Sequence, residues 1–121
     1  MKFSLLVAIV PEELEQGCID AAKEAGAGGV TIMNGRGIGT SSKKTFFGLT
    51  YEGSQSILLM VLEKNLSLHV LKAIQSELAI TPKDKEEGAS KGVVLTLPLE
   101  HLGGIEAAQL EQFERFIKDD F

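Results

Sequence analysis

Cysteine is the scarcest informative residue in this chain: Cys18 stands alone among 121 residues. A single thiol excludes an intrachain disulfide and a zinc site built on cysteines. Its neighbours Leu14, Ala21, Ala22 and Ala25 make it a small core residue of a helix. Histidine is nearly as rare, with only His69 and His101, and no His-x-x-x-His spacing supports a metal site. Cations are outnumbered, 12 Lys and Arg against 17 Asp and Glu, for a net charge of −5. That balance counts against a nucleic-acid partner, whose phosphates are met by clustered Lys and Arg. No stretch approaches the roughly 20 apolar residues of a membrane span. The Phe3–Val10 run is short, lacks a small-residue cleavage motif and leads into Pro11-Glu12-Glu13, so it reads as a strand rather than a signal peptide. A cytoplasmic protein is expected.

Catalytic signatures are also missing. No serine stands in a nucleophile-elbow pattern. The acidic groups Glu12-Glu13-Glu15, Asp84-Glu86-Glu87 and Asp119-Asp120 read as solvated caps and tails. Carboxylates paired for acid–base work need an enclosed cleft that separates their pKa values, and nothing here indicates one. The sequence therefore favours a sensor over an enzyme.

What is present is a foldable pattern. Hydrophobic residues make up 44% and charged residues 24%, a balance for one domain spanning residues 1–121. Phe3–Val10 is a continuous apolar run but for Ser4, which predicts a strand covered on both faces. Pro11 suits a first helical turn, and Glu12, Glu13 and Glu15 favour the positive end of its dipole. Leu14, Cys18, Ala21 and Ala25 recur at helical spacing, and Gly26 sits where a left-handed terminator belongs. Gly28–Asn34 returns to a strand. Residues 38–55 form a long polar loop, too long for a hairpin turn. Ser56–Glu63 is a third strand. Asn65 can cap a second helix, with Leu71, Ile74 and Leu78 inward. Lys91–Leu97 is a fourth strand, and residues 105–118 form a last amphipathic helix with Leu110, Phe113 and Ile117 on one face. The order is βαββαβ, an α+β ferredoxin-like arrangement. Right-handed crossovers put both helices on one sheet face, so the apolar opposite face predicts oligomerisation.

Two glycine-rich segments carry the functional signal. Gly35-Arg36-Gly37-Ile38-Gly39 follows the second strand, and Gly88-Ala89-Ser90-Lys91-Gly92 precedes the fourth. Each offers free backbone N–H groups, room for close approach and one cation, which suits a bound phosphate. The first is not a dinucleotide fingerprint, because no helix follows it; the second is not a Walker motif, because Gly92 stands where Ser or Thr should. Phe46-Phe47-Gly48-Leu49 places two aromatics in the long loop. They either fold back on the subunit or anchor a partner.

These residues resemble the PII signal-transduction family over about residues 1–105. Gly28-Gly29-Val30-Thr31 with Gly35-Arg36-Gly37 resembles that family's second strand and the base of its T-loop. Gly88-Ala89-Ser90-Lys91-Gly92 resembles its other nucleotide loop. The resemblance implies a homotrimer that binds adenine nucleotide (ADP, ATP or AMP) in clefts between subunits and regulates a target protein, a transporter or metabolic enzyme, through the T-loop. It implies nucleotide contacts from Thr31, Gly35, Arg36, Gly37, Glu63, Gly88, Ser90, Lys91 and Gly92. It implies partner contacts from the loop residues Lys43, Lys44, Phe46, Phe47 and Tyr51. No metal, nucleic acid or membrane insertion is implied.

Departures from the family pattern narrow this. Ile38 and Gly39 stand where members carry an arginine and a glutamine that hold phosphate and magnesium-bound 2-oxoglutarate. His101-Leu102-Gly103-Gly104 stands where they carry paired arginines. A 2-oxoglutarate response is therefore not expected, and ADP or AMP is favoured over triphosphate. The surroundings of Tyr51 do not match the family's modified tyrosine. The alternatives are a CutA-like trimer that binds a small anion, metabolite or metal without nucleotide, or a small enzyme using the intersubunit cleft.

Overall fold

In the computed structural model, residues 2–36, 45–46, 49–50, 54–78 and 92–104 are described. The elements run β1 (Phe3–Pro11), a 3-10 turn (Glu12–Leu14), α1 (Glu15–Glu24), β2 (Thr31–Gly35), β3 (Thr45–Phe46), β4 (Leu49–Thr50), β5 (Gln55–Glu63), α2 (Lys64–Glu77) and β6 (Val93–Pro98). The four longer strands make one antiparallel sheet in the order β2-β5-β1-β6. This is the α+β ferredoxin-like βαββαβ fold expected from the sequence. Within the long loop, β3 and β4 add an antiparallel pair, Thr45 opposite Thr50 and Phe46 opposite Leu49. The predicted helix over residues 105–118 lies outside the described residues.

Strand β1 is central. It pairs with β5 from Phe3 opposite Glu63 to Pro11 opposite Gln55, and with β6 from Ser4 opposite Pro98 to Ile9 opposite Val93. Residues directly opposite each other share a face. Ser4, Leu6, Ala8 and Val10 therefore join Ser56, Leu58, Met60 and Leu62 on one face, and all are buried. Helices α1 and α2 pack against each other, with α2 also on β1, β5 and β6. Cys18, Ile19, Ala22, Ala27, Val70, Ile74 and Leu78 complete the core.

The other face corrects the expectation of strands covered on both sides. Leu5, Val7 and Ile9 are only half-buried, as are Ile57 and Leu59. Beside them Val61, Leu95 and Leu97 are exposed, and Met33 on β2 is 46% exposed. An uninterrupted apolar run reports that both faces of a strand are apolar; it does not say that the same chain covers both.

Other boundaries also differ. Pro11 closes β1 and precedes the 3-10 turn with an extended ψ of 149° instead of entering the first helical turn. Strand β2 begins at Thr31 and not Gly28, β5 begins at Gln55, and β6 begins at Val93 and not Lys91. The cap of α2 is Glu63, not Asn65: one Glu63 oxygen accepts from the backbone N–H of Asn65 at 2.9 Å and of Leu66 at 3.0 Å. A carboxylate there satisfies two orphan donors and faces the positive end of the helix. At the far end of α1, Gly26 adopts φ +118°. Gly26 N–H donates to the Lys23 carbonyl and Ala27 N–H to that of Ala22, which closes the helix as a Schellman motif.

Two measurements follow from this core. Gly26→Ala puts a Cβ 2.9 Å from Leu66 Cδ1 and forces an L residue into left-handed backbone. It is expected to lower unfolding free energy by about 1–2 kcal/mol in urea titration. Cys18 is wholly buried, and desolvation, with the Glu77 carboxylate adding to it, pushes its thiol up to about 11 from 9.0. The folded state therefore holds the proton that the unfolded state releases first. This stabilising contribution is complete below pH 9 and is lost as pH rises through about 11. The native thiol should resist iodoacetamide at pH 8 and react once urea unfolds the chain; equal rates in both states would contradict its burial.

Candidate functional site

The two glycine segments meet the sheet at one end. Gly35 closes β2 opposite Gln55, which lies opposite Pro11 at the end of β1. Gly92 immediately precedes Val93, which lies opposite Ile9. Strand order separates them nonetheless: β2 is one edge of the sheet and β6 the other. Three interstrand spacings put them roughly 14 Å apart. Gly35 and Gly92 therefore lie on opposite edges of the sheet and not side by side.

Each predicted residue has a definite place or none. Thr31, Met33 and Gly35 alternate along β2 on the uncovered face, in register with Leu59, Ile57 and Gln55. Thr31 is exposed and lies four residues, roughly 13 Å, from Gly35. Arg36 is exposed just beyond the strand. Gly37, Gly88, Ser90 and Lys91 lie outside the described residues, as do Lys43, Lys44, Phe47 and Tyr51. Phe46 is described only as a member of β3. His101 is exposed in the segment after β6.

Glu63 and Gly92 acquire structural assignments that the sequence did not suggest. Glu63 is 1% exposed, caps α2, and stands opposite Phe3, at the far end of the sheet from Gly35. Eight residues of β5, roughly 27 Å, separate it from Gln55. A Cβ on Gly92 would sit 2.9 Å from the Ile9 carbonyl oxygen and 3.0 Å from Leu78 Cδ2. Gly92 thus lets β6 and α2 close on β1, whatever else it does. By contrast, a Cβ on Gly28 or Gly29 would meet nothing within 4 Å. A second tie at this end was not legible: Ser56 Oγ donates to Glu15 Oε1 at 2.8 Å, joining the start of β5 to the start of α1.

A groove of about 940 Å³ lies at the opposite end of the sheet, between the first turns of α2 and the end of β6, with Lys2, Lys64, Ser67, Leu68, Thr96 and Leu102 among its walls. It includes neither Gly35, Arg36 nor Gly92. Among the described residues no group of three or more His, Cys, Asp or Glu is placed to hold a metal ion. No helix there is long and apolar enough to cross a membrane.

The sequence matches no family model, and it matches no curated protein. Its fold does match solved structures. Arabidopsis thaliana PII bound to citrate superimposes with a TM-score of 0.60 at 22% identity, over 81% of this chain and 78% of that one. CPII, a nitrogen regulatory PII-like protein from Thiomonas intermedia bound to ADP, AMP and bicarbonate, gives 0.58 at 18% identity, over 87% and 98%. A PII-like signalling protein from Thermus thermophilus gives 0.56 at 18%, over 82% and 88%. At these identities the shared property is the fold.

The packing assignment of Gly92 is testable apart from any ligand. Gly92→Ala should lower unfolding free energy by about 1–3 kcal/mol, the cost of overpacking a filled site. An unchanged urea midpoint would show that β6 can shift to make room.

Proposed function

We propose that this chain is a divergent PII-like signalling protein. It binds ADP or AMP in clefts between the subunits of a homotrimer and regulates a target, a transporter or a metabolic enzyme, through residues 38–55. It acts by binding and not by catalysis.

The observation that carries this reading is the placement of Gly35-Arg36 and Gly92 at one end of the sheet but on opposite edges. Two phosphate-suited segments carried on opposite edges of one sheet are placed to meet across two chains. The β2 edge of one protomer then faces the β6 edge of its neighbour. The uncovered face, with Leu5, Val7, Ile9, Leu59, Leu95 and Leu97, supplies the driving force for assembly, since apolar surface of this extent is stabilised by burial. Support for the ligand class comes from CPII, which shares the fold and is bound to ADP and AMP.

Roles follow from chemistry. Arg36 and Lys91 neutralise the phosphates, and the backbone N–H groups at Gly35, Gly37 and Gly88 donate to them, helped by the Ser90 hydroxyl. Thr31, one nucleotide length from Gly35 on the same face, receives the base. Glu63 contributes through Oε1 alone, since Oε2 caps α2. Signalling requires that nucleotide bind two states of loop 38–55 with different affinity, so that occupancy selects the state Lys43, Lys44, Phe46, Phe47 and Tyr51 present to the target.

Calorimetry tests the cleft directly. Arg36→Ala and Lys91→Ala should each weaken ADP binding by about 1.5–3 kcal/mol, the range for a charged hydrogen bond. A cleft shared between protomers adds a sharper expectation. Subunits of the two variants, unfolded together and refolded as a mixture, regain tight sites wherever Arg36 of one chain faces Lys91 of another. A site within one chain gives no recovery. Protein that ignores ADP, AMP and ATP in melting experiments would instead favour the small-anion binder.

A further inference from the structure

The site holds one group that the roles above leave unused. Gln55, the first residue of β5, is 4% exposed, and its side-chain oxygen Oε1 is buried with no hydrogen-bond partner among the described residues. Few buried polar atoms in folded proteins are left so, and each one has a cause. Here the cause is the register. Gln55 lies directly opposite Gly35 on one side and Pro11 on the other, so its cross-strand neighbours on that face are a residue without a side chain and one without a polar side-chain atom. Ile57, next on the same face of β5, offers no donor. A second buried orphan, Glu63 Oε1, is different: its sister oxygen already takes two backbone N–H groups.

We infer that Gln55 Oε1 accepts a hydrogen bond from a ribose hydroxyl of the bound nucleotide. This deepens the nucleotide reading above and rests on it. An amide carbonyl cannot serve phosphate, since both are acceptors. Beside Gly35 and Arg36, where the phosphates lie in that reading, the nearest donors a nucleotide carries are the hydroxyls of its sugar. Gly35, directly opposite, brings no side chain of its own over Gln55. The sequence hides this role because glutamine at the start of a strand looks like a polar flank. Only the register puts it beside the first glycine segment.

A cycle of two ligands and two proteins tests the assignment by calorimetry, with ADP and 2′,3′-dideoxy-ADP as probes. The parent should prefer ADP about tenfold, the worth of a buried hydrogen bond whose loss leaves the acceptor bare. Gln55→Leu should bind the two equally, at about the parent's affinity for the dideoxy compound. Gln55→Met, closer in shape, repeats the test if leucine disturbs the strand. Without ligand both variants should melt at or above the parent temperature, because each removes an unpaired buried oxygen. A purely structural amide would lower melting instead, and with it the assignment is lost. Parent protein that binds both probes equally, or variants that still discriminate tenfold, overturn the Gln55 role while leaving nucleotide binding intact. Parent protein that binds neither probe removes the nucleotide reading itself, and the Gln55 role with it.

Discussion

The hydrogen-bond ladders on both sides of β1 are the constraint from which the rest descends. With β5 on one side and β6 on the other, β1 can be no edge, and β2 and β6 must be. That order fixes which residues share a face and which end of the sheet receives each loop. The apolar alternation of β1 and β5 then sends one set of side chains under α1 and α2 and leaves the other set, Gln55 and Glu63 apart, half-buried or exposed. Neither the core nor the candidate site has an independent origin: both are consequences of register.

Much of this was legible in the residues. Helical spacing at Leu14, Cys18, Ala21 and Ala25, the apolar runs and the glycine at position 26 suffice for the element order and the ferredoxin-like class. The rest was hidden for identifiable reasons. An apolar run cannot report coverage, so Phe3–Val10 looked buried on both sides. Asparagine is a strong intrinsic helix cap, so the sequence points to Asn65; α2 instead begins at Lys64, and Glu63 before it accepts the Asn65 N–H. The β3–β4 pair is two residues a side, too short to show a period. Gln55 has no significance until its cross-strand neighbours are known.

The glycines illustrate how one residue type carries different physics. Gly26 is needed for its backbone angle, and Gly92 for the missing Cβ against the Ile9 backbone and Leu78. At Gly35 a Cβ would press only on the far end of the Ile57 side chain, so packing makes a weaker demand there. Gly28 and Gly29 meet no steric demand at all. A glycine-rich segment therefore signals phosphate only where packing has not already accounted for the glycine. By that standard Gly35 is stronger evidence for a ligand than Gly92.

The central position of β1 has a further result during synthesis. Its partners lie at residues 55–63 and 93–98, so the strand translated first is the last to be fully paired. At elongation rates of about 5–20 residues per second, several seconds pass before β6 emerges. Throughout that interval a nine-residue apolar strand waits without its second neighbour. Such long-range pairing slows folding and leaves an edge open to other chains. The edge of β1 that awaits β6 is thus the one a growing chain leaves open longest.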